Sequence, residues 1–462
     1  MYIQQLYTNC LAQAAYYLES DREAIIVDPL RDPAPYLEVA KSRGAVIKYI
    51  LETHFHADFV SGHLDLAKAT GAEIVFGPDA KPDYEAHIAK DGERIQLGHV
   101  EIEVLHTPGH TIESTCFLVY DEAELPHAIF SGDTLFAGDV GRPDLMSGNL
   151  SPEILAEKLY HSLQNKIKTL PDNVIVYPGH GAGSACGKNI GKETTTTIGD
   201  QKKTNYALMD MPMETFIPLV IQGQSVPPQY FFADAKLNKE GYENFEEVMM
   251  NNLYFISPQE LENKKKKEAV ILLDTRSPEI FAKGFIPGSI NIGLDGDFAV
   301  WVGTLYSPKT EFLLVTEQGK EKETISRLAR IGYENVNGIL NGGISSWTES
   351  GKMLDRIPSL NPIEFERAIA SGKFTVLDVR RPSEVTKKHI HHAMNSPLSE
   401  IFSRLDHFDQ NVSYIACCAG GYRSVIAASI LKAAGIENVY NVSGGVARLE
   451  KEKPLLIEET VF

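Results

Sequence analysis

Cysteine is scarce in this chain: 5 in 462 residues, an odd number, with two adjacent at Cys417 and Cys418. That excludes a disulfide framework, so the expectation is a cytoplasmic protein whose special cysteines act by their chemistry. No apolar run approaches the roughly 20 residues of a membrane-spanning helix. The start, Met1-Tyr2-Ile3-Gln4-Gln5-Leu6-Tyr7, lacks the basic-then-apolar pattern of a secretory leader. Positive charge is also short: 44 Lys and Arg face 62 Asp and Glu, a net charge of −18. Such a balance argues against nucleic acid or an anionic membrane as partner. The length suits about three domains.

What is present is concentrated at strand ends. Val46-Ile47-Lys48-Tyr49-Ile50-Leu51 reads as a buried strand, and it delivers Thr53-His54-Phe55-His56-Ala57-Asp58-Phe59. Three more strand-type runs end in the same way. Val100 to Leu105 leads into His106-Thr107-Pro108-Gly109-His110-Thr111. Ala128-Ile129-Phe130 leads into Ser131-Gly132-Asp133-Thr134, and Asn173 to Tyr177 into Pro178-Gly179-His180-Gly181. Imidazoles and carboxylates at one point suit a borderline metal ion. Solvated loop histidines are the plain alternative, but chance does not confine such residues to places where strands stop. Loops held by a rigid sheet are where sites are built. Cys10, Cys116 and Cys186 read as small buried residues rather than catalytic ones.

The second half contains a repeat. Ile271-Leu272-Leu273-Asp274-Thr275-Arg276-Ser277-Pro278 recurs about a hundred residues later as Thr375-Val376-Leu377-Asp378-Val379-Arg380-Arg381-Pro382. Asn341-Gly342-Gly343 likewise recurs as Ser443-Gly444-Gly445. Each copy alternates short apolar strands with helical stretches, which predicts a small α/β domain on a parallel sheet. The expected domains are 1–245, 256–356 and 358–462. In the last, the strand Ser413-Tyr414-Ile415-Ala416 runs into Cys417-Cys418-Ala419-Gly420-Gly421-Tyr422-Arg423-Ser424 and then a helix. A cysteine between a strand and a helix start faces backbone N–H groups and the positive end of the helix, both of which favour thiolate. The middle copy has no cysteine at all.

The order of the metal-type motifs resembles the metallo-β-lactamase fold. More narrowly, Ser131 to Asp144 (SGDTLFAGDVGRPD) and Pro178 to Lys188 (PGHGAGSACGK) resemble persulfide dioxygenases. The resemblance implies an αββα sandwich with the metal at one edge of the sheets. Binuclear hydrolases of that fold carry His-x-His-x-Asp-His, and this chain has Phe59 at the last place, so one metal is expected. Carried over, the ligands of a single Fe(II) are His54, His110 and Asp133, with His56, Asp58 and His180 behind them. The implied reaction oxidises a small thiol persulfide with O2 to sulfite and thiol. Glutathione persulfide is the usual substrate and coenzyme A persulfide an alternative. Arg142 is a candidate for a substrate carboxylate or phosphate, and an internal ion pair is the other reading.

The motif Cys-x-x-Gly-x-Arg-Ser resembles rhodanese sulfurtransferases. The match places the nucleophile at Cys418, with the loop N–H groups and Arg423 stabilising an anionic sulfur. The middle domain is then an inactive rhodanese copy. Together these expectations describe an α/β multidomain, homo-oligomeric enzyme that interconverts sulfite and thiosulfate beside its dioxygenase. Two alternatives stay open: a zinc thioester hydrolase, as in glyoxalase-type relatives, and a rhodanese repeat serving as a redox-sensing or scaffold module.

Overall fold

The structure, a computed structural model, describes residues 1–145, 150–224, 227–267 and 269–459. Residues 460–462, the end of the third expected domain, lie outside the described residues. The chain forms two compact units, Met1–Val248 with Leu328–Tyr333, and Met249–Arg327 with Glu334–Phe462. No helix among the described residues is long and apolar enough to cross a membrane.

Alternation along the strands explains the first unit. The strand Gln13–Ser20 is buried at every position, so both of its faces must be covered. Tyr16 and Leu18 join Ile25, Val27 and Leu51 in a core shared with Val104, Phe117 and Phe130 of a second sheet. Ala15 and Tyr17 point the other way, toward Tyr36, Ala40 and Leu66 of two covering helices. The second sheet does the same: Leu118 and Ile129 pack outward against Ala156, Leu159 and Leu163. The result is helix, sheet, sheet, helix. One six-stranded sheet runs Tyr2–Thr8, Gln13–Ser20, Glu23–Val27, Val46–Glu52, Glu73–Phe76 and His87–Ile88. The other runs Thr196–Thr197, Ile175–Pro178, Pro126–Gly132, Thr115–Tyr120, Val100–His106 and Arg94–Leu97. The turn between Ser20 and Glu23 is tight because Asp21 and Arg22 both take positive φ, 51° and 62°, which matches the twist of the strands it joins.

The second unit holds two five-stranded sheets in which every strand pair is parallel. The repeat is visible atom by atom. Arg276 Nε and Nη2 donate to Asp274 at 2.9 and 2.6 Å, and Arg380 does so to Asp378 at 2.9 and 2.6 Å. Asn291 Nδ2 then ties the Asp274 and Arg276 carbonyls at 3.0 and 2.9 Å. Asn395 ties those of Asp378 and Arg380 at 2.9 and 3.0 Å. The two aspartates are fully buried and the two arginines nearly so. Each fork holds the end of a central strand in register with the loop that follows it.

Removing one partner of a buried ion pair strands the other without solvation. Asp378→Ala and Asp274→Ala are therefore each expected to destabilise the second unit, by about 3–5 kcal/mol. Urea unfolding followed by circular dichroism checks this, and the matched geometry predicts similar losses for the two variants.

Candidate metal centre and thiol loop

Each metal-type residue sits where a strand gives way to a loop, and the loops converge. His54, His110 and Asp133 offer ligand atoms that all lie within 4.8 Å of one another, and all three residues are buried. His110 Nε2 is 3.5 Å from Asp133 Oδ2. Both imidazoles are oriented from behind. His110 Nδ1 is 2.8 Å from the Arg142 carbonyl, and His54 Nδ1 is 3.0 Å from Thr53 Oγ1. Thr53 is itself fixed by Asp28, which accepts from its amide at 2.8 Å and its hydroxyl at 2.9 Å. Burial, followed by the nearby His56, His110 and His180 rings, pushes the His54 pKa well below the usual histidine range. Its imidazole is thus neutral, the form that ligates a metal.

Close backbone approach completes the cluster. A Cβ on Gly141 would stand 2.1 Å from the Asp133 carbonyl and 3.0 Å from the His110 ring. One on Gly179 would stand 2.6 Å from Asp133 Oδ1. Asp133 is buried, yet no N–H or O–H among the described residues donates to either of its carboxylate oxygens. A buried carboxylate left in that state calls for a cation. Two imidazoles and one carboxylate gathered at one point fit a divalent transition-metal ion.

The residues expected behind these ligands separate into two further groups. His56 turns to Asp28 and Glu52, at 3.1 and 3.6 Å, and stacks on Phe59 with ring centroids 4.3 Å apart. Burial opposes its protonation, but the Asp28, Glu52 and Asp58 carboxylates outweigh this and hold its pKa up to about 9. Asp58 and His180 form the second group, 3.3 Å apart, with His180 Nε2 also 3.6 Å from Asp133 Oδ1. Their third member is Cys186, which completes a buried trio of possible ligands. Burial, then Asp58 and Asp133, push the Cys186 thiol well up.

Reading Cys186 as a small buried residue captures its burial and misses its place. A thiol six residues beyond a ligand-type histidine, in a glycine-containing loop, was the available signal. Asp28 and Glu52 were also missed. Glu52 was visible as an acid closing an otherwise apolar strand, while Asp28 carries a positive φ of 50° that only the structure reveals. Of the two readings of Arg142, the geometry matches the internal ion pair. Its guanidinium is buried and donates to both Asp144 oxygens at 2.7 Å, with a further bond to the Ala185 carbonyl. A guanidinium taken out of water needs a carboxylate, and Asp144 supplies it. The Arg142 carbonyl, in turn, faces His110 Nδ1.

In the last domain Cys418 is 1% exposed at the end of the strand Ser413–Cys417. The Gly421 N–H donates to its Sγ at 3.1 Å, and Ser424 Oγ lies 3.4 Å away. Gly421 has a φ of +106° at the start of the helix Tyr422–Ala433. The Cys418 and Ala419 carbonyls accept from Val446 and Ala447 at 2.8 and 3.0 Å. That contact requires Gly445, whose Cβ would stand 2.2 Å from the Cys418 carbonyl oxygen. Arg423 does not face the thiol with a free charge: it donates to Glu384 at 2.7 and 2.9 Å. Cys417 is buried in the core, where burial and its neighbour Cys418 push its pKa well up. At the corresponding place the middle domain has Glu317, Gln318 and Gly319 after its strand Phe312–Val315.

Comparison with known proteins agrees with this architecture. Residues 8–180 match the Metallo-beta-lactamase superfamily, and residues 257–350 and 361–452 each match the Rhodanese-like domain. A probable hydroxyacylglutathione hydrolase of Schizosaccharomyces pombe is 36% identical over 171 residues, 36% of this chain and 62% of that protein. The chain thus spans less than two thirds of that relative's length. The human mitochondrial persulfide dioxygenase ETHE1 is 31% identical over 182 residues, 38% of this chain and 67% of that protein. A crystal structure of a metallo-beta-lactamase from Staphylococcus aureus superposes with a TM-score of 0.66 at 34% identity, covering 74% of this chain and 98% of the other. A αββα sandwich with donors gathered at its strand ends, and the agreement of these relatives, place the chain in the metallo-beta-lactamase superfamily, with two rhodanese-like domains following in the same polypeptide.

Proposed function

We propose that the first unit oxidises a low-molecular-weight persulfide with O2 to sulfite and thiol, and that the Cys418 domain transfers sulfane sulfur between the same small molecules. The observation that carries this reading is the pairing, in one chain, of a two-imidazole, one-carboxylate face with a thiol held among backbone N–H groups. Iron bound by His54, His110 and Asp133 would supply one-electron chemistry toward oxygen and an acceptor for the terminal sulfur. The protein's own part is positioning. Thr53 and the Arg142 carbonyl aim the two rings, while Gly141 and Gly179 let backbone close around Asp133 and keep water from it. At the second site the Gly421 N–H stabilises sulfur as an anion, so that Cys418 acts as the nucleophile. Glutathione persulfide or coenzyme A persulfide would be the donor, and sulfite and thiosulfate the exchanging pair. The middle domain, with no thiol, has no transfer chemistry of its own under this reading.

A second reading is favoured by one feature. Asp58, His180 and Cys186 lie beside the first cluster, and a second ion there would suit a hydrolase acting on a thioester; the S. pombe relative is named a probable hydroxyacylglutathione hydrolase. The two readings differ in what they consume. The first predicts oxygen uptake in an electrode when iron-loaded protein meets glutathione persulfide. The second predicts thioester cleavage by zinc-loaded protein without oxygen, and an electrode trace that stays flat would favour it.

Variants separate the two active regions. Asp133→Ala is expected to lose bound iron by elemental analysis and oxygen uptake to background, while keeping thiosulfate:cyanide sulfur transfer. Cys418→Ser is expected to leave oxygen uptake unchanged and to abolish sulfur transfer. Thiosulfate formation at the full rate by that variant would break the proposed coupling. Removing the metal with a chelator should also lower the unfolding temperature of the first unit. The loss in stability is about 2.7 kcal/mol for an ion present at a hundredfold its dissociation constant.

A further inference from the structure

The thiol loop shares a cavity with the domain that has no thiol. Gly420, Gly421 and Ser443 line one side of a space of about 620 Å³, and Glu279, Lys283 and Arg356 line the other. Glu279 and Lys283 lie on the helix Pro278–Lys283 of the middle domain, and Arg356 on the segment that leads into the last domain. This opposing wall is held in place. Tyr422, the first residue of the thiol helix, donates its hydroxyl to the Gly293 carbonyl at 2.6 Å. Its ring also fills the space over Gly296, where a Cβ would come within 2.4 Å. Ser429 of the same helix accepts from the Asn291 amide at 3.1 Å.

Size and charge both point to more than an inorganic donor. The space falls within the roughly 300–1,000 Å³ of sites that enclose small organic ligands, and sulfite or thiosulfate would occupy only a corner of it. Arg423, the cation within the motif, is already committed to Glu384. Lys283 and Arg356 are exposed, and neither head group has a hydrogen-bond or ion-pair partner among the described residues. Two free cations and one free carboxylate around a cavity complement a ligand with two carboxylates and one ammonium.

We propose that the middle domain forms the recognition half of the sulfurtransferase site. Together the two halves take a carboxylate-bearing thiol persulfide of tripeptide size, with carboxylates toward Lys283 and Arg356, ammonium toward Glu279 and sulfur at Cys418. This rests on the reading of Cys418 as a sulfur-transfer nucleophile. In the step, the Cys418 thiolate attacks the outer sulfur of R–S–SH. The donor's S–S bond breaks, a new S–S bond forms on Cys418, and R–S⁻ leaves and takes up the proton. The sulfane sulfur is handed over with no net oxidation. The Gly421 N–H holds the anionic sulfur through the exchange.

The test uses the full chain, with glutathione persulfide as donor and sulfite as acceptor. The double variant Lys283→Gln/Arg356→Gln is expected to raise the KM for glutathione persulfide about tenfold or more, as two charge-assisted contacts are lost, and to leave kcat in place. Lys283→Arg alone should keep the wild-type KM. For thiosulfate, too small to reach both walls, the KM should move less than for the persulfide. An unchanged glutathione persulfide KM in the double variant overturns the proposal, and so does a wild-type preference for coenzyme A persulfide. The underlying reading fails differently: wild-type protein would then form no persulfide on Cys418, by mass spectrometry, with any donor.

Discussion

Asp28 governs the metal-type loop from outside the cluster of His54, His110 and Asp133. Its carboxylate accepts from both polar atoms of Thr53, and Thr53 in turn sets the ring of His54. The same carboxylate draws His56 away, to 3.1 Å. One buried acid thus divides two histidines that stand two residues apart, sending one toward His110 and Asp133 and the other toward a cationic role against Asp28 and Glu52. Burial makes this strong, because a carboxylate removed from water is costly unless its oxygens are answered. The remaining acids obey the same demand. Asp144 is answered by Arg142, and Asp133, without an N–H or O–H donor among the described residues, is left with a demand that a cation could meet.

Much of the frame could be read before any coordinates. Strand ends bearing His54, His110, Asp133 and His180 were recognisable because each followed an apolar run and most lay beside glycine. The strands Glu73–Phe76 and Thr115–Tyr120 have the bounds that their apolar runs mark in the sequence. The parallel sheets of the second unit follow from the alternation of short apolar strands with helical stretches in each copy. What could not be read was direction. Nothing in the order of residues says that Arg142 turns inward to Asp144, that Arg423 turns to Glu384, or that Cys186 returns to Asp58 and His180. These are choices among partners brought together by folding, and one-dimensional spacing does not rank them.

Phe59 shows both sides of this. Its ring stands where the expected binuclear motif would have an imidazole, and it stacks on His56. Yet Cys186 enters the neighbouring group from a loop over a hundred residues away. A missing ligand in a motif therefore says less about the number of ions than the three-dimensional neighbourhood does.

The duplicated Asp–Arg–Asn fork has an evolutionary consequence. It ties the end of one central strand to the residues that follow it, by bonds in which neither the thiol loop after Cys417 nor its counterpart after Val315 takes part. Shape in these domains is thus insured separately from chemistry. A copy can carry Glu317 and Gln318 where the other has its thiol and keep the same outline, which leaves the residues around that loop free to vary.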